Sequence, residues 1–140
     1  MIKTLSFFIL ISFNSVLAKA QRINGQPSQS ISFITNADSF FNATLQHTKP
    51  YFLYFTASWC APCKQLQAIT FADTAVINHV NKNVTALKVD VDVDKKLRQK
   101  YYVSEYPTLI IFDKNGEIKM RFEGFFTAST FMETLKKLDQ

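Results

Sequence analysis

Between Tyr51 and Ala57 the chain reads YFLYFTA, an almost unbroken apolar run without the alternation of a half-exposed strand. It predicts a strand buried on both faces. Further strands are predicted over VTALKVDVD, residues 84–92, and over TLIIFD and EIKMRFE, residues 108–113 and 117–123. Helical spacing fills the intervals. Asn36 or Asp38 can cap a helix to about His47 with Phe40, Phe41 and Leu45 on one side, stopped by Lys49-Pro50. A second helical pattern runs from Lys64 to Phe71, breaks at Ala72-Asp73-Thr74 and resumes over Ala75–Val80. Asp92 or Asp94 can cap a third through Tyr101, and Thr127 a last one that turns Phe131, Leu135 and Leu138 inward. Lys114-Asn115-Gly116 between two strand-like runs is a hairpin signal, and Gly124 marks a bend or bulge where the second run ends. With ISFI at 31–34 as a short first strand, the order is β-α-β-α-β-α-β-β-α. Strand–helix–strand units imply parallel pairing, and the hairpin adds an antiparallel pair. The fold class is α/β, a central mixed sheet flanked by helices.

The first twenty residues break this pattern. A positive start, MIK, precedes the apolar TLSFFILISF and then NSVLAKA, which ends in a small-x-small triplet at Ala18-Lys19-Ala20. That is the layout of a secretory signal peptide over 1–20; its apolar run is short for a bilayer span of about 20 residues, and an uncleaved anchor is the alternative. No cysteine follows the run, which excludes a lipoprotein anchor on that residue. Residues 21–32, polar and turn-rich over QRINGQPSQS, are read as a flexible lead-in, and 33–140 as one folded domain. The expected location is the periplasm, with secretion the alternative. Asn42 and Asn83 begin glycosylation sequons that matter only on a eukaryotic secretory route, and the tail KKLDQ is no retention signal.

Composition refines rather than changes this picture. A chain of 140 residues, 47% hydrophobic with 14 phenylalanines, can build a core without extra staples. The formal charge of +5 falls to +3 once Lys3 and Lys19 are set aside. The run DKKLRQK, Asp94 to Lys100, mixes signs at helical spacing and reads as a solvated helix face. No basic stripe of the kind nucleic-acid binding needs is present. The mature chain is expected to be a soluble monomer that binds no nucleic acid.

The chemistry concentrates in TASWCAPCK, Thr56 to Lys64, which holds both cysteines of the chain. Three readings compete. Structural zinc needs four ligands, and the pair supplies two, with His47 and His79 each alone on a helix. A two-coordinate Cu(I) site needs only soft thiolates and stays open. A structural disulfide between residues 60 and 63 closes too short a loop to stabilise much. The reactive reading has positive support: Cys60 lies just before a helix start, where free N–H groups and the helix dipole favour a thiolate. Cys63 lies one turn in, so the expectation is an exposed attacking sulfur and a sheltered resolving one.

WCAPCK after a buried strand, YPT at 106–108, and FDKNGE followed by Gly124 resemble the thioredoxin superfamily over roughly Phe33 to Leu138. CKQLQAITFADTAVI and EGFFTASTF are similar to one branch of it, the periplasmic domains related to the C-terminal domain of the transmembrane thiol reductant transporter DsbD. The resemblance implies a thiol–disulfide oxidoreductase in which Cys60 attacks a substrate disulfide and Cys63 resolves the mixed disulfide. It implies a cis Pro107 that presents the backbone of Tyr106 to substrate, and a Trp59 packed beside the dithiol, with Ala61 and Pro62 shaping the site. No cofactor and no resident metal are expected.

The sequence departs from the family at two positions. The carboxylate often found six residues before the first cysteine is Tyr54, and the acid of the closer branch, four residues after the second, is Gln67. Tyr54, Gln67, Lys88 and Glu105 are therefore candidate modulators of the site's protons. Ala61 and Pro62 add no charge and no side-chain donor near Cys60, which favours the disulfide form and makes the reduced protein a better donor. The expected activity is reduction of protein disulfides, with electrons from a separate thiol-reducing donor, soluble or membrane-bound. The alternatives are an oxidase or isomerase, or a redox-silent or Cu(I)-carrying binding module on the same fold.

Overall fold

The computed structural model describes residues 30–46 and 48–138. The leader expected over 1–20, most of the lead-in, His47 and the last two residues lie outside them. In chain order the elements are α1 (Ala37–Thr44), β1 (Tyr51–Thr56), α2 (Ala61–Ile69), α3 (Thr74–Asn83), β2 (Thr85–Asp90), α4 (Lys95–Lys100), β3 (Thr108–Phe112), β4 (Ile118–Glu123) and α5 (Ala128–Leu138). Among the described residues the sheet has the order β2-β1-β3-β4. β1 pairs parallel with β2 and antiparallel with β3, and β3 pairs antiparallel with β4.

β1 occupies the middle because every residue after Tyr51 can be buried. Its side chains alternate between two apolar clusters. Phe52 and Tyr54 join Leu66, Val76, Phe131 and Leu135 from α2, α3 and α5. Leu53 and Phe55 join Phe40 of α1 and Leu97 of α4 on the opposite face. β3 divides likewise, with Leu109 and Ile111 on the first side and Ile110 and Phe112 on the second. Fully burying one such side chain stabilises by about 1.5–3 kcal/mol.

Helix starts follow local chemistry. Asn36 accepts from Ser39 N, Asp73 from Ala75 N and Val76 N, and Asp94 from Leu97 N. Thr127 Oγ1 accepts from Thr130 N at the entry to α5, which buries Phe131 and Leu135 and packs Leu138 against the core. The break expected at 72–74 is real, and it separates α2 from α3.

Two expectations are corrected. ISFI forms no strand: Ile34 alone bridges to Leu87, because the chain turns into α1 two residues later. Residues 30–32 are tied down rather than free. Asn81 holds Ser30 O and Ser32 N, and Ile31 is buried in the core. The hairpin turns at Lys114-Asn115-Gly116 as expected, closed by Asp113 N–H donating to Glu117 O at 3.0 Å. Residues 113–117 form a loop around Asp113, which accepts from Asn115 N and Glu117 N, and Gly116 supplies its positive φ of 85°. Gly124, with φ 80°, ends β4 as expected, whereas the register irregularity of this ribbon falls at Ile111/Phe112 in β3.

Candidate active site

β1 delivers the chain to a tight turn, Cys60 N–H donating to Ala57 O at 3.2 Å, and α2 starts at once. Cys60 is itself the N-cap of α2, its Sγ accepting from Cys63 N–H at 3.2 Å. Pro62 fits the first helical turn, where a backbone N–H has no intrahelical partner to lose. Cys60 and Cys63 form a disulfide with S–S 2.06 Å and Cα–Cα 5.3 Å. The exposed first sulfur expected from the sequence is not found in this oxidised form. Cys60 is 3% exposed and Cys63 0%, because both sulfurs turn into the cluster of Ala57, Val91 and half-buried Tyr106. Ala61 and Pro62 are exposed above them.

Trp59 does not pack into the core; it is 62% exposed. Its Nε1–H donates to Asp92 Oδ2 at 2.9 Å, and its ring meets Tyr106 edge-on at 5.7 Å. The Tyr106–Pro107 bond is cis, as the resemblance implied. Pro107 is buried, its carbonyl accepts from Gly124 N–H at 2.8 Å, and Thr108 Oγ1 donates to Glu105 O at 2.7 Å. The wall opposite the dithiol is thus locked to the end of β4.

Tyr54 stands below the dithiol. It is fully buried, its hydroxyl donating to Cys63 O at 3.3 Å and accepting from Gln67 Nε2 at 3.1 Å. Burial raises its pKa above the ordinary tyrosine value, opposed by the neighbouring Thr56 hydroxyl and the Gln67 amide. Thr56 is 4% exposed, yet its Oγ1 makes no hydrogen bond of acceptable geometry within the protein. It lines a chamber of about 350 Å³ with Ser58, Lys64, Gln67, Lys88 and Asp90. Gln67 and Lys88 also line a second space of about 190 Å³ beside Phe33 and Phe71. Lys88 is half-buried in mid-strand, at the wall of both. Glu105 is exposed, and its backbone carbonyl is the group that Thr108 uses.

The structure thus gathers Cys60, Cys63, Tyr54, Gln67 and Lys88 at one end of β1 and β2, with Trp59, Tyr106 and Pro107 on the outer rim. Sequence reasoning treated Asp92 only as a helix-cap candidate and passed over Thr56 and Thr70. Thr70, fully buried, donates to Phe126 O at 2.6 Å. The alternating VDVD after β2 was the one available signal for Asp92. A larger cavity, about 590 Å³, lies elsewhere, along the β2 edge between α1 and α4. Among the described residues no group of three or more His, Cys, Asp or Glu is placed to hold a metal ion.

A Cys-x-x-Cys disulfide capping a helix at the end of a buried strand, faced by a cis-proline, defines a thioredoxin-like thiol–disulfide oxidoreductase. The chain belongs to the thioredoxin family, whose profile matches residues 32–137. It is 32% identical over 138 residues to the thiol:disulfide interchange protein DsbD of Campylobacter jejuni (strain RM1221). The match covers 96% of this chain and 22% of that protein, so the chain spans about a fifth of the relative's length. A thioredoxin of Chlamydia trachomatis is 42% identical over 83 residues, covering 59% of this chain and 76% of that protein. The solution structure of a thioredoxin from Thermus thermophilus is similar in fold, with a TM-score of 0.68 at 21% identity over 79% of this chain and 88% of that one.

Proposed function

We propose that this chain is an exported reductant of protein disulfides. Cys60 attacks the substrate disulfide and Cys63 resolves the mixed disulfide. The observation that carries the direction is the surroundings of Cys60. Its sulfur receives one backbone N–H, from Cys63, while the intervening Ala61 and Pro62 bring neither charge nor side-chain donor. A weakly stabilised thiolate favours the disulfide and makes the dithiol a good electron donor. Trp59, Ala61, Pro62, Tyr106 and Pro107 form the rim against which an extended substrate segment lies. Tyr54, Gln67, Lys88 and Glu105 are the groups that adjust its protons.

The leader-like residues 1–20 direct the chain out of the cytoplasm, the lead-in separates that leader from the folded domain, and the periplasm is the working compartment. An oxidising compartment demands a supply of electrons, and the chain carries no second cysteine pair and no nucleotide-binding motif. A separate thiol donor, membrane-bound or soluble, re-reduces it, and the mature domain acts as a monomer. The likeness to DsbD proteins supports a place in an exported thiol-exchange chain. The deciding experiment equilibrates the Cys60–Cys63 couple against defined thiol buffers. A potential near the thioredoxin value of about −270 mV supports the reductant; one between about −180 and −120 mV makes the protein an isomerase or oxidant.

A further inference from the structure

The outer edge of β2 is only partly used by the chain. Ile34 N–H donates to Ala86 O at 2.8 Å, and Ile34 O accepts from Lys88 N–H at 2.9 Å, which makes one rung of a parallel ladder. Val91 N–H bonds Thr56 O of β1. That fixes the phase of β2, so the next outward rung consists of Lys88 O and Asp90 N–H. Among the described residues neither group has a partner, because the chain turns away into α1 at Asn36. The cavity of about 590 Å³ lies against this rung. Leu87 and Val89 of β2, Leu97 of α4 and the exposed Val93 give it an apolar lining. Asp38 and Asp94 line it as well. Neither carboxylate has an ion-pair partner among the described residues, although Asp94 also caps α4. Lys88 is the one cationic residue of the lining. Its side chain is out of phase with Leu87 and Val89 and shares the chambers on the opposite face with Gln67. The space is therefore strand-edged, apolar within and negative at the rim, on a chain of formal charge +5.

We propose that this cavity docks an extended, basic segment of the protein whose disulfide Cys60 attacks. The inference rests on the oxidoreductase reading above. One residue of the segment completes the rung, its N–H donating to Lys88 O and its carbonyl accepting from Asp90 N–H, which is recognition by strand addition. Ile34, on the preceding rung, stands opposite Leu87. The docked residue therefore stands opposite Val89, and its side chain enters the cavity. A lysine or arginine there lays its methylene stem over Val89 and Leu97 and brings its charge to Asp38 and Asp94. A glutamate in the same place meets two unpaired carboxylates and is rejected. The cavity and the dithiol share a lip, the turn of residues 90–94. Its middle residue, Asp92, accepts from Trp59 Nε1–H at 2.9 Å beside Cys60. A protein engaged at Cys60 thus grips the same turn from its far side, and the preferred substrates are disulfides flanked by a basic extended chain.

The test titrates oxidised full-length protein with a blocked heptapeptide of threonine and valine carrying one central lysine, and with its central-glutamate counterpart. The lysine peptide is expected to slow amide exchange at Asp90 at least about fivefold at saturation, and the glutamate peptide to leave it unchanged. Methylating the backbone nitrogen of the lysine removes the donor to Lys88 O and should weaken binding about fivefold, the worth of one net hydrogen bond. Methylating the next nitrogen, which faces away from β2, should not. Asp38→Asn combined with Asp94→Asn keeps the cap of α4, since asparagine caps as well as aspartate. That variant should bind the lysine peptide about fivefold more weakly and reduce a small aromatic disulfide at the wild-type rate. Joined by a glycine linker to a disulfide, the lysine segment should give a KM at least about fivefold below that of the glutamate segment, with kcat unchanged. The proposal is overturned if about 1 mM lysine peptide leaves the Asp90 amide unprotected, or if the two peptides bind alike. Equal effects of the two methylations, or equal KM values, overturn it as well. Failure of the wild-type protein to reduce the small disulfide sinks the oxidoreductase reading instead, whatever the peptides do.

Discussion

The hydrogen bond from Thr70 to Phe126 O joins residues 56 apart in sequence and ties the end of α2 to the segment that leads into α5. Thr70 is fully buried and Phe126 is 7% exposed, so Thr70→Val keeps the volume and strands a carbonyl where water does not reach. The net loss of one hydrogen bond is about 1 kcal/mol, and a stranded buried carbonyl adds about as much again. The expected destabilisation is therefore about 2 kcal/mol, a fall in Tm of roughly 8–12 °C for a domain of this size. Urea unfolding of the oxidised protein reads it directly, and the slope should stay at the wild-type value. Thr134→Val is the control: Thr134 Oγ1 donates to Thr130 O on the exposed face of α5, and its removal should cost less than about 0.5 kcal/mol. Equal stability of Thr70→Val and wild type, or equal losses in the two variants, would refute the assignment of this bond as a buried tie. Because Gly124 N–H bonds Pro107 O two residues from Phe126, the same variant should also raise the KM for a protein disulfide.

Cys60→Ser should abolish disulfide reduction, whereas Cys63→Ser should accumulate a stable mixed disulfide that mass spectrometry of the intact protein detects; turnover by either variant would remove the roles assigned to the two sulfurs. Tyr102, 88% exposed with φ 52°, holds a left-handed conformation that costs a non-glycine residue about 1–2 kcal/mol. Tyr102→Gly should therefore raise stability by about 0.5 kcal/mol after the entropy of glycine is subtracted, and a lower urea midpoint would contradict this. Around Asp113, burial raises the carboxyl pKa, but hydrogen bonds from Lys119 and from the backbone of Glu117 and Asn115 outweigh it and hold it below the usual value. A lowered folded pKa means that this tie is complete above the ordinary aspartate range and is lost as pH falls through the folded value. Amide exchange at Asn115 and Glu117, measured relative to the core, should accelerate in acid, and Asp113→Asn should remove that pH dependence.

Much of this architecture is legible from short-range chemistry. The run YFLYFT can only be satisfied between two apolar layers, and the caps at Asn36, Asp94 and Thr127 mark helix starts by their side-chain oxygens. The failures have a common cause in tertiary context. ISFI has strand composition, but the turn into α1 leaves Ile34 alone with backbone groups to offer β2, through Ala86 O and Lys88 N–H. Trp59 looks like core by residue type, yet a carboxylate at Asp92 and the edge of Tyr106 hold it at the surface. At the site, the cysteines and the X-Pro pair were readable as a local pattern and through resemblance. The Tyr54–Gln67 contact was not, since a strand residue and a helix residue 13 apart meet only once β1 and α2 pack. Thr56 carries no sequence signal at all; its interest comes from a hydroxyl left without a protein partner.

The sulfur of Cys60 has two occupations, since the atom that exchanges disulfides is also the acceptor that closes the first turn of α2. Chemical state and local secondary structure are therefore not independent variables here. Whatever is bonded to Cys60 during turnover competes with, or restores, the group that satisfies Cys63 N–H. The amide of Cys63 becomes a built-in reporter: its proton resonance and exchange rate should follow the redox cycle without any label. Alkylation of Cys60 should likewise register first as fraying at the start of the helix, before any change in the sheet beneath it.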